Sequence, residues 1–312
     1  MSTLPAWVLA PISFALFALN LAFWGLIVLV LSLLRLLLPV AAVQRFCSRA
    51  VHGCYYCWIG INAFFIRLVN NLDWQEQLPA EGLSREQWYL MIANHQSWLD
   101  VVLLMQFSHD RMPLPKFFIK DELRWVPFIG IGAWALDMPF MKRYSKAFLA
   151  KHPERQGQDI DSTRRSCEKF RHQPTTIINF VEGTRFSKAK QQLKNSPFQY
   201  LLPPKAGGIA FTLASMGEQF DAMLDVTIIY PDNPKHIVLA MLSGKLKRVV
   251  LQIERLPVTD DMIGDYFGDD AFRQQFQQWL NDRWQRKDQL IGDFHRAGQR
   301  LPTLHQTSAS SG

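Results

Sequence analysis

Residues 1–34 carry no charged side chain, and this is the most informative absence in the sequence. The run WVLAPISFALFALNLAFWGLIVLVLSLL exceeds the ~20 apolar residues that a helix needs to cross a hydrocarbon core of ~30 Å, so the chain belongs at a membrane. It lacks the basic leading region and small-residue cleavage site of a secretory signal, and is therefore expected to be retained. Cysteine is scarce as well. Cys47, Cys54, Cys57 and Cys167 are the only four, and in a cytosolic body they imply no disulfides. The pair Cys54-x-x-Cys57 has no second pair and no histidines at zinc spacing, which argues against a metal or redox centre and for two small hydrophobes. The G-x-S-x-G elbow of serine hydrolases is missing, and so is any internal repeat.

What is present fills out a sizeable globular body. The 312 residues, 48% of them hydrophobic, suffice for one large domain or two small ones. Lys and Arg total 34 against 27 Asp and Glu, a net charge of +7 that favours an anionic partner: nucleic acid, a lipid headgroup surface or a phosphorylated substrate. The apolar run selects the lipid. Arg35, Arg45, Arg49 and Arg67 follow that run and only the amino terminus precedes it. The positive-inside bias therefore places the body on the cytosolic face, of the inner membrane if the source is bacterial. A second apolar stretch at 50–66, with His52, Asn62 and several aromatics, suits a helix at the bilayer interface; were it to span instead, the body would remain cytosolic. The expected division is a membrane anchor and interfacial helical segment at 1–70, a catalytic domain at 71–298 and a flexible tail at 299–312.

Beyond residue 72 the pattern is that of an α/β protein. Hydrophobic periodicity predicts strands at 88–92, 116–119, 175–181, 222–230 and 248–256, and helices at 98–107, 159–170, 208–216 and 270–294. In the last helix Phe272, Phe276, Trp279, Leu280 and Trp284 recur at helical spacing, as a core-facing stripe does.

Three stretches carry chemistry. In IANHQSWLD, His95 stands just before an apolar helix and Asp100 in its first turn. Ser97 and Asp100 fit a capping box, which accounts for Asp100 alone. A carboxylate so placed can also accept one ring N–H of His95, fixing its tautomer and stabilising its cation, so His95 and Asp100 form a candidate dyad. In NFVEGTRFS a strand opens into a glycine-bearing turn that carries Glu182 and Arg185. The planar guanidinium of Arg185 matches phosphate oxygens, although a surface ion pair would use the same residues. In LPPKAGGIAF, Lys205 and Gly207-Gly208 sit at a helix start, where backbone N–H groups can hold a phosphate.

Taken in order, these stretches resemble the glycerophosphate acyltransferases, which include the lysophosphatidic acid acyltransferases. The N-H-x-x-x-x-D motif is matched by Asn94, His95 and Asp100, and F-x-E-G-T-R by Phe180, Glu182, Gly183, Thr184 and Arg185. The intervening block is similar at Lys120, Glu122, Leu123, Pro127, Gly130 and Arg143, and the later apolar strand ends at Pro231 as the family's does. Val181 stands where many members have proline. WLNDRWQRKDQLIGDF near the end looks most like the lysocardiolipin acyltransferase branch.

The resemblance, which covers about 85–295, implies an α/β fold: a glycerophosphate-acyltransferase-like sheet flanked by helices, preceded by the membrane-embedded helical segment. It implies His95 as general base, oriented by Asp100. Arg185, with Arg143 and Lys205, would hold the acceptor phosphate, and Glu182 beside Gly183 and Thr184 would position the glycerol. The donor would be acyl-coenzyme A or acyl carrier protein, with no further cofactor and no metal. The acceptor would be a lysophospholipid in the bilayer: 1-acylglycerol 3-phosphate, giving phosphatidic acid, or else lysophosphatidylglycerol or lysocardiolipin. A membrane-associated nucleic-acid-binding protein would account for the charge but not for the apolar run or the His-Asp pair. A metal site at His95 and Asp100 lacks a third obvious ligand.

Overall fold

The computed structural model describes residues 4–126, 129–138, 140–141, 170, 173–233 and 235–297. Pro127, Arg143, Cys167, the tail at 299–312 and all but the last residue of the helix expected at 159–170 lie outside them.

The chain opens with two helices, α1 at Ala6–Leu37 and α2 at Ala41–Val69. Phe17 meets Phe65, and Asn20 Nδ2 donates to Asn62 Oδ1 at 3.0 Å and to the Trp58 carbonyl at 3.2 Å. Positions rise along one helix as they fall along the other, so the pair is an antiparallel hairpin. The Asn20–Asn62 bond, placed in an apolar interface, favours a single register. Among the described residues α1 alone is long and apolar enough to cross a membrane. It does not project from the body, however. A Cβ on Gly244 would come within 2.8 Å of Leu9 near one end of α1, and Arg35 at the other end lies over the Trp134 ring at 5.9 Å. The second apolar stretch is longer than expected, and α2 buries Cys47, Val51, Cys54, Ile59 and Ile66. Cys47, Cys54 and Cys57 are all free thiols.

The body follows as β1 (Asp73–Gln77), β2 (Tyr89–Ala93), α3 (Leu99–Ser108), β3 (Pro115–Phe117), β4 (Ile119–Lys120), α4 (Ile129–Ala135) and β5 (Phe140–Met141). Then come β6 (Thr176–Phe180), α5 (Lys188–Leu193), α6 (Gly207–Met216), β7 (Ala222–Ile229), α7 (Ile237–Leu242), β8 (Arg248–Leu256) and α8 (Asp270–Ala297). Six strands form one sheet in the order β1-β8-β7-β2-β6-β3, parallel at every pairing except β7–β8; β4 and β5 pair separately. All five residues of β2 and all eight of β7 are buried, which is why β2 reads as a continuous apolar run and β7 as one broken only at Asp225 and Thr227 rather than as alternating strands.

The side-chain period of two sorts β2 between two cores. Tyr89, Met91 and Ala93 pack with Ile59 of α2 and Leu103 and Phe107 of α3. Leu90 and Ile92 face α6 and α8, against Ile209, Leu213, Phe276, Leu280 and Trp284. The expected aromatic stripe of the last helix is thus a core face, and Trp284 is fully buried. In register, Ala93 of β2 stands opposite Phe180 of β6 and Val226 of β7. The chain leaves β2 into Asn94-His95, β6 into the turn at Glu182 and β7 into Tyr230. These exits share the carboxyl edge of the parallel strands, where open α/β sheets bind ligands.

Candidate active site

Asn94 extends the sheet past the end of β2. Its side chain is buried, donates to the Ile228 carbonyl at 3.0 Å and accepts the Ile228 N–H at 2.8 Å, so it ties the start of the loop to β7 from both sides. His95 follows on this fixed point. Its Nδ1 lies 2.8 Å from Asp100 Oδ2, and its ring stacks on Phe180 with centroids 4.0 Å apart.

Asp100 is fully buried and accepts from every neighbour. Oδ2 takes the N–H groups of Gln96 at 2.6 Å and Ser97 at 2.8 Å besides the imidazole, and Oδ1 takes the Tyr230 hydroxyl at 2.6 Å. Burial first, and Asp100 beside it, hold the Tyr230 hydroxyl well above the usual tyrosine range, so it stays a donor. A carboxylate that accepts throughout requires Nδ1 of His95 to carry its proton. Nε2 is then the nitrogen left for a substrate.

The cap and the dyad, two separate explanations of Asp100 at the level of sequence, are realised by one oxygen. The carboxylate half of the capping box forms through the Ser97 N–H. The Ser97 hydroxyl, however, accepts from Leu99 at 3.2 Å, and α3 begins one residue later than expected.

Glu182 is not where the glycerol was expected to meet it. It is fully buried and accepts two backbone amides, His95 N–H on Oε1 and Leu202 N–H on Oε2, each at 2.9 Å. Burial pushes its carboxyl up to about 8, against the His95 and Leu202 amides and the charge of Lys287, which favour ionisation; Asp100 adds a small upward push. Gly183 has φ 66° in the turn closed by its N–H on the Phe180 carbonyl, a conformation in which glycine carries no Cβ penalty. Val181 donates its N–H to the Ala93 carbonyl at 3.3 Å, a bond that proline at this position cannot make.

Thr184 and Arg185 are held by Lys190, whose Nζ reaches Thr184 Oγ1 at 2.8 Å and the Arg185 carbonyl at 3.0 Å. The Arg185 guanidinium sits 4.4 Å above the Trp98 ring and has no carboxylate partner among the described residues. Lys205 contributes its N–H to the Val181 carbonyl at 3.0 Å, while the residue itself is exposed and does not line the cavity described next.

That cavity, about 610 Å³, brings His95, Gly183, Thr184 and Arg185 together with Trp98, Val101 and Met105. Leu21, Trp24 and Val28 of α1 and Tyr55 and Trp58 of α2 complete its wall. The hairpin is thus part of the site. No group of three or more His, Cys, Asp or Glu that could hold a metal ion occurs among the described residues. Tyr230, Lys190, Trp98 and Phe180 were not singled out as site residues from the sequence. Phe180 had a signal there as the first residue of the F-x-E-G-T-R motif, and Tyr230 as a hydroxyl at the carboxyl end of a buried strand.

The fold is that of the 1-acyl-sn-glycerophosphate (LPA) acyltransferase of Thermotoga maritima: TM-score 0.53, 16% identity, covering 95% of this chain and 97% of that one. The human 1-acyl-sn-glycerol-3-phosphate acyltransferase delta is 25% identical over 222 residues, 67% of this chain and 53% of its own length. Lysocardiolipin acyltransferase 1 of Gallus gallus is 22% identical over 240 residues, 71% of this chain and 58% of its own. The chain spans little more than half the length of these curated relatives. The sequence profile of the acyltransferase family matches residues 73–231, from β1 to the proline after β7 and across every residue of the His95–Asp100 and Glu182–Arg185 cluster, and the chain belongs to that family.

Proposed function

We propose that the protein transfers a fatty acyl group from an acyl thioester to the free hydroxyl of a lysophospholipid, with 1-acylglycerol 3-phosphate as the acceptor and phosphatidic acid as the product. The observation that carries this is His95, paired with the buried Asp100 at 2.8 Å, in the wall of a largely apolar cavity that the membrane-type helix α1 helps to line. A thioester is already activated, so no acyl-enzyme is needed. Nε2 of His95 takes the proton of the acceptor hydroxyl, whose oxygen attacks the thioester carbonyl. The tetrahedral intermediate collapses by breaking the C–S bond, and the leaving thiolate takes the proton back. General-base help of this kind contributes ~10²–10⁴ in rate. Asp100 stabilises the transient imidazolium through Nδ1.

Arg185 meets the acceptor phosphate, with Arg143 as a further cation and Lys205, outside the cavity wall, left to attract the headgroup from a distance, and Gly183 and Thr184 form the turn beneath it. The buried Glu182 acts through the His95 backbone rather than on the glycerol. The donor is acyl-coenzyme A or acyl carrier protein, its chain lying among the apolar cavity residues. Exposed Trp7, Phe14, Leu19 and Phe23 on α1 embed the hairpin in the bilayer, and the arginines that follow α1 hold the body at the cytosolic face.

Lysophosphatidylglycerol and lysocardiolipin remain the alternative acceptors because of the α8 sequence and the similarity to the lysocardiolipin acyltransferase 1 of Gallus gallus. The test is purified protein with labelled acyl-coenzyme A or acyl carrier protein and a panel of lysophospholipids. Preference for the monoester supports the proposal and preference for a diester moves the acceptor. Thioester hydrolysis without transfer to any lipid refutes it.

A further inference from the structure

Helix α8 lies outside the segment that the family profile matches, yet two consecutive residues on it reach the underside of the site. We propose that Lys287 and Asp288 are positioning residues for His95, acting through Glu182. This rests on the acyltransfer reading above.

Lys287 is almost wholly buried. Its Nζ donates to the Val226 carbonyl at 2.6 Å and pairs with Asp225 Oδ1 at 2.6 Å. Val226 stands opposite Ala93, the residue from which β2 passes into Asn94-His95, and Ala93 stands opposite Phe180, from which β6 passes toward Glu182. The ammonium therefore sits beneath the strand ends that carry His95 and Glu182, close enough for its charge to favour the Glu182 carboxylate. Asp225 keeps Lys287 in place: burial raises the Asp225 carboxyl, but Lys287 and Arg283 outweigh this and hold it below its ordinary value. Arg283 binds Asp225 Oδ2 through Nε and Nη2, at 3.0 and 2.8 Å, and joins it to Glu254.

Asp288 grips the other side. Its two carboxylate oxygens accept the N–H groups of Gln199 at 2.9 Å and Tyr200 at 2.7 Å. Two residues further on, the Leu202 N–H occupies Oε2 of Glu182, while Oε1 holds the His95 N–H. One residue of α8 thus sets the charge environment of Glu182 and the next sets the segment that orients it. The His95 backbone hangs from the result. A small displacement there moves the imbalance straight to Nε2, and misplacement of about 1 Å can cost ~10²-fold in rate.

Only an ionised Glu182 can accept both amides without an O–H in the way. The groups acting electrostatically on it are Lys287 of α8 and Asp100 of α3, besides the His95 and Leu202 amides. Activity should therefore rise as pH passes through about 8, and loss of the Lys287 charge should move that rise to higher pH.

The experiment is a double-mutant cycle on the full chain in detergent, with Lys287→Met, Glu182→Gln and the pair, melting temperature being measured for each. Expected is a kcat at pH 7.5 lowered ~10-fold or more by Lys287→Met with both KM values within about twofold, and a pH profile displaced upward. In the Glu182→Gln background the same change should cost less than about twofold, because the route is already cut. Asp288→Asn, which keeps one accepting oxygen, serves if Lys287→Met does not fold and should lower kcat in the same background-dependent way. Equal fold-losses in the two backgrounds, or an unshifted pH profile with unchanged kcat, overturn the proposal. If the wild-type protein transfers no acyl group to any lipid, it is the acyltransfer reading that has failed, and the positioning role falls with it.

Discussion

Replacing Asp100 by Asn separates charge from hydrogen bonding at the residue on which the site turns. An amide placed with its oxygen at the Oδ2 position still accepts from His95, Gln96 and Ser97; its NH₂ then meets the Tyr230 hydroxyl, which can turn to accept. The opposite orientation sets the NH₂ against three donors and is disfavoured. The fold therefore survives with weakened bonds, at ~1–3 kcal/mol for losing a buried charged acceptor. What disappears is attraction between the carboxylate and the imidazolium formed when His95 takes its proton. With Nδ1 and Oδ2 at 2.8 Å the charge centres are roughly 4 Å apart, and an effective dielectric of ~20 gives about 4 kcal/mol as an upper value. At ~1.36 kcal/mol per decade this is a kcat loss approaching 10³-fold, and ~10²-fold if water screens the pair further. The assay is single-turnover transfer alongside thermal melting, repeated in a His95→Ala background. There Asp100→Asn should retain its stability loss and add less than about threefold to the kinetic defect. An Asp100→Asn enzyme with near wild-type turnover would leave the carboxylate with a capping role only and end the proposed mechanism.

Arg185→Lys keeps a charge but gives up the bidentate fork and most of the overlap with Trp98, so acceptor KM should rise ~10-fold or more while donor KM stays within about twofold; equal rises for both substrates would make Arg185 structural. Glu182→Gln should become progressively more favourable to stability as pH rises. The carboxyl of Glu182 is raised from 4.5 to about 8 in the fold, so the stability it contributes is complete below its unfolded value and is lost as pH climbs through the folded one. The glutamine does not titrate, and its melting temperature relative to wild type should increase between pH 6 and pH 9; a difference that does not change with pH would contradict the buried placement.

Most of the sheet was legible because its central strands are buried on both faces. Tyr89–Ala93 is apolar throughout and Ala222–Ile229 is interrupted only by Asp225 and Thr227, and such runs leave little choice. β8 was placed at its observed bounds by the apolar stretch Val249–Leu251 and the alternation that follows it. β1 was not seen: Asp73–Gln77 reads DWQEQ, half-buried rather than core, and it is a strand because β8 offers it a parallel edge. That partner lies far along the chain, where local propensity carries no information. The hairpin shows the same limit. Apolar length marked α1 as a membrane helix, but only tertiary contact shows Trp24 and Val28 in the wall of the same cavity as His95.

The site divides along a similar line. His95, Asp100 and Arg185 were legible because their chemistry is local: five positions set the dyad, and one turn sets the arginine. Glu182 was expected beside the glycerol, whereas its carboxylate accepts two backbone amides. Its motif fixes where the carboxylate begins but not which way it points, and it points inward because two amides from distant segments, His95 and Leu202, have no other acceptor there. Buried backbone N–H groups must be paired, so a carboxylate near the end of a central strand is as well explained by unpaired amides beneath it as by a ligand above. Tyr230 and Lys287 escaped for the complementary reason: each acts on a residue more than a hundred positions away, Tyr230 on Asp100 and Lys287 on Glu182. The residues proposed to touch substrate are written in short motifs, while those that fix their positions are distributed wherever the fold returns to the same strand ends.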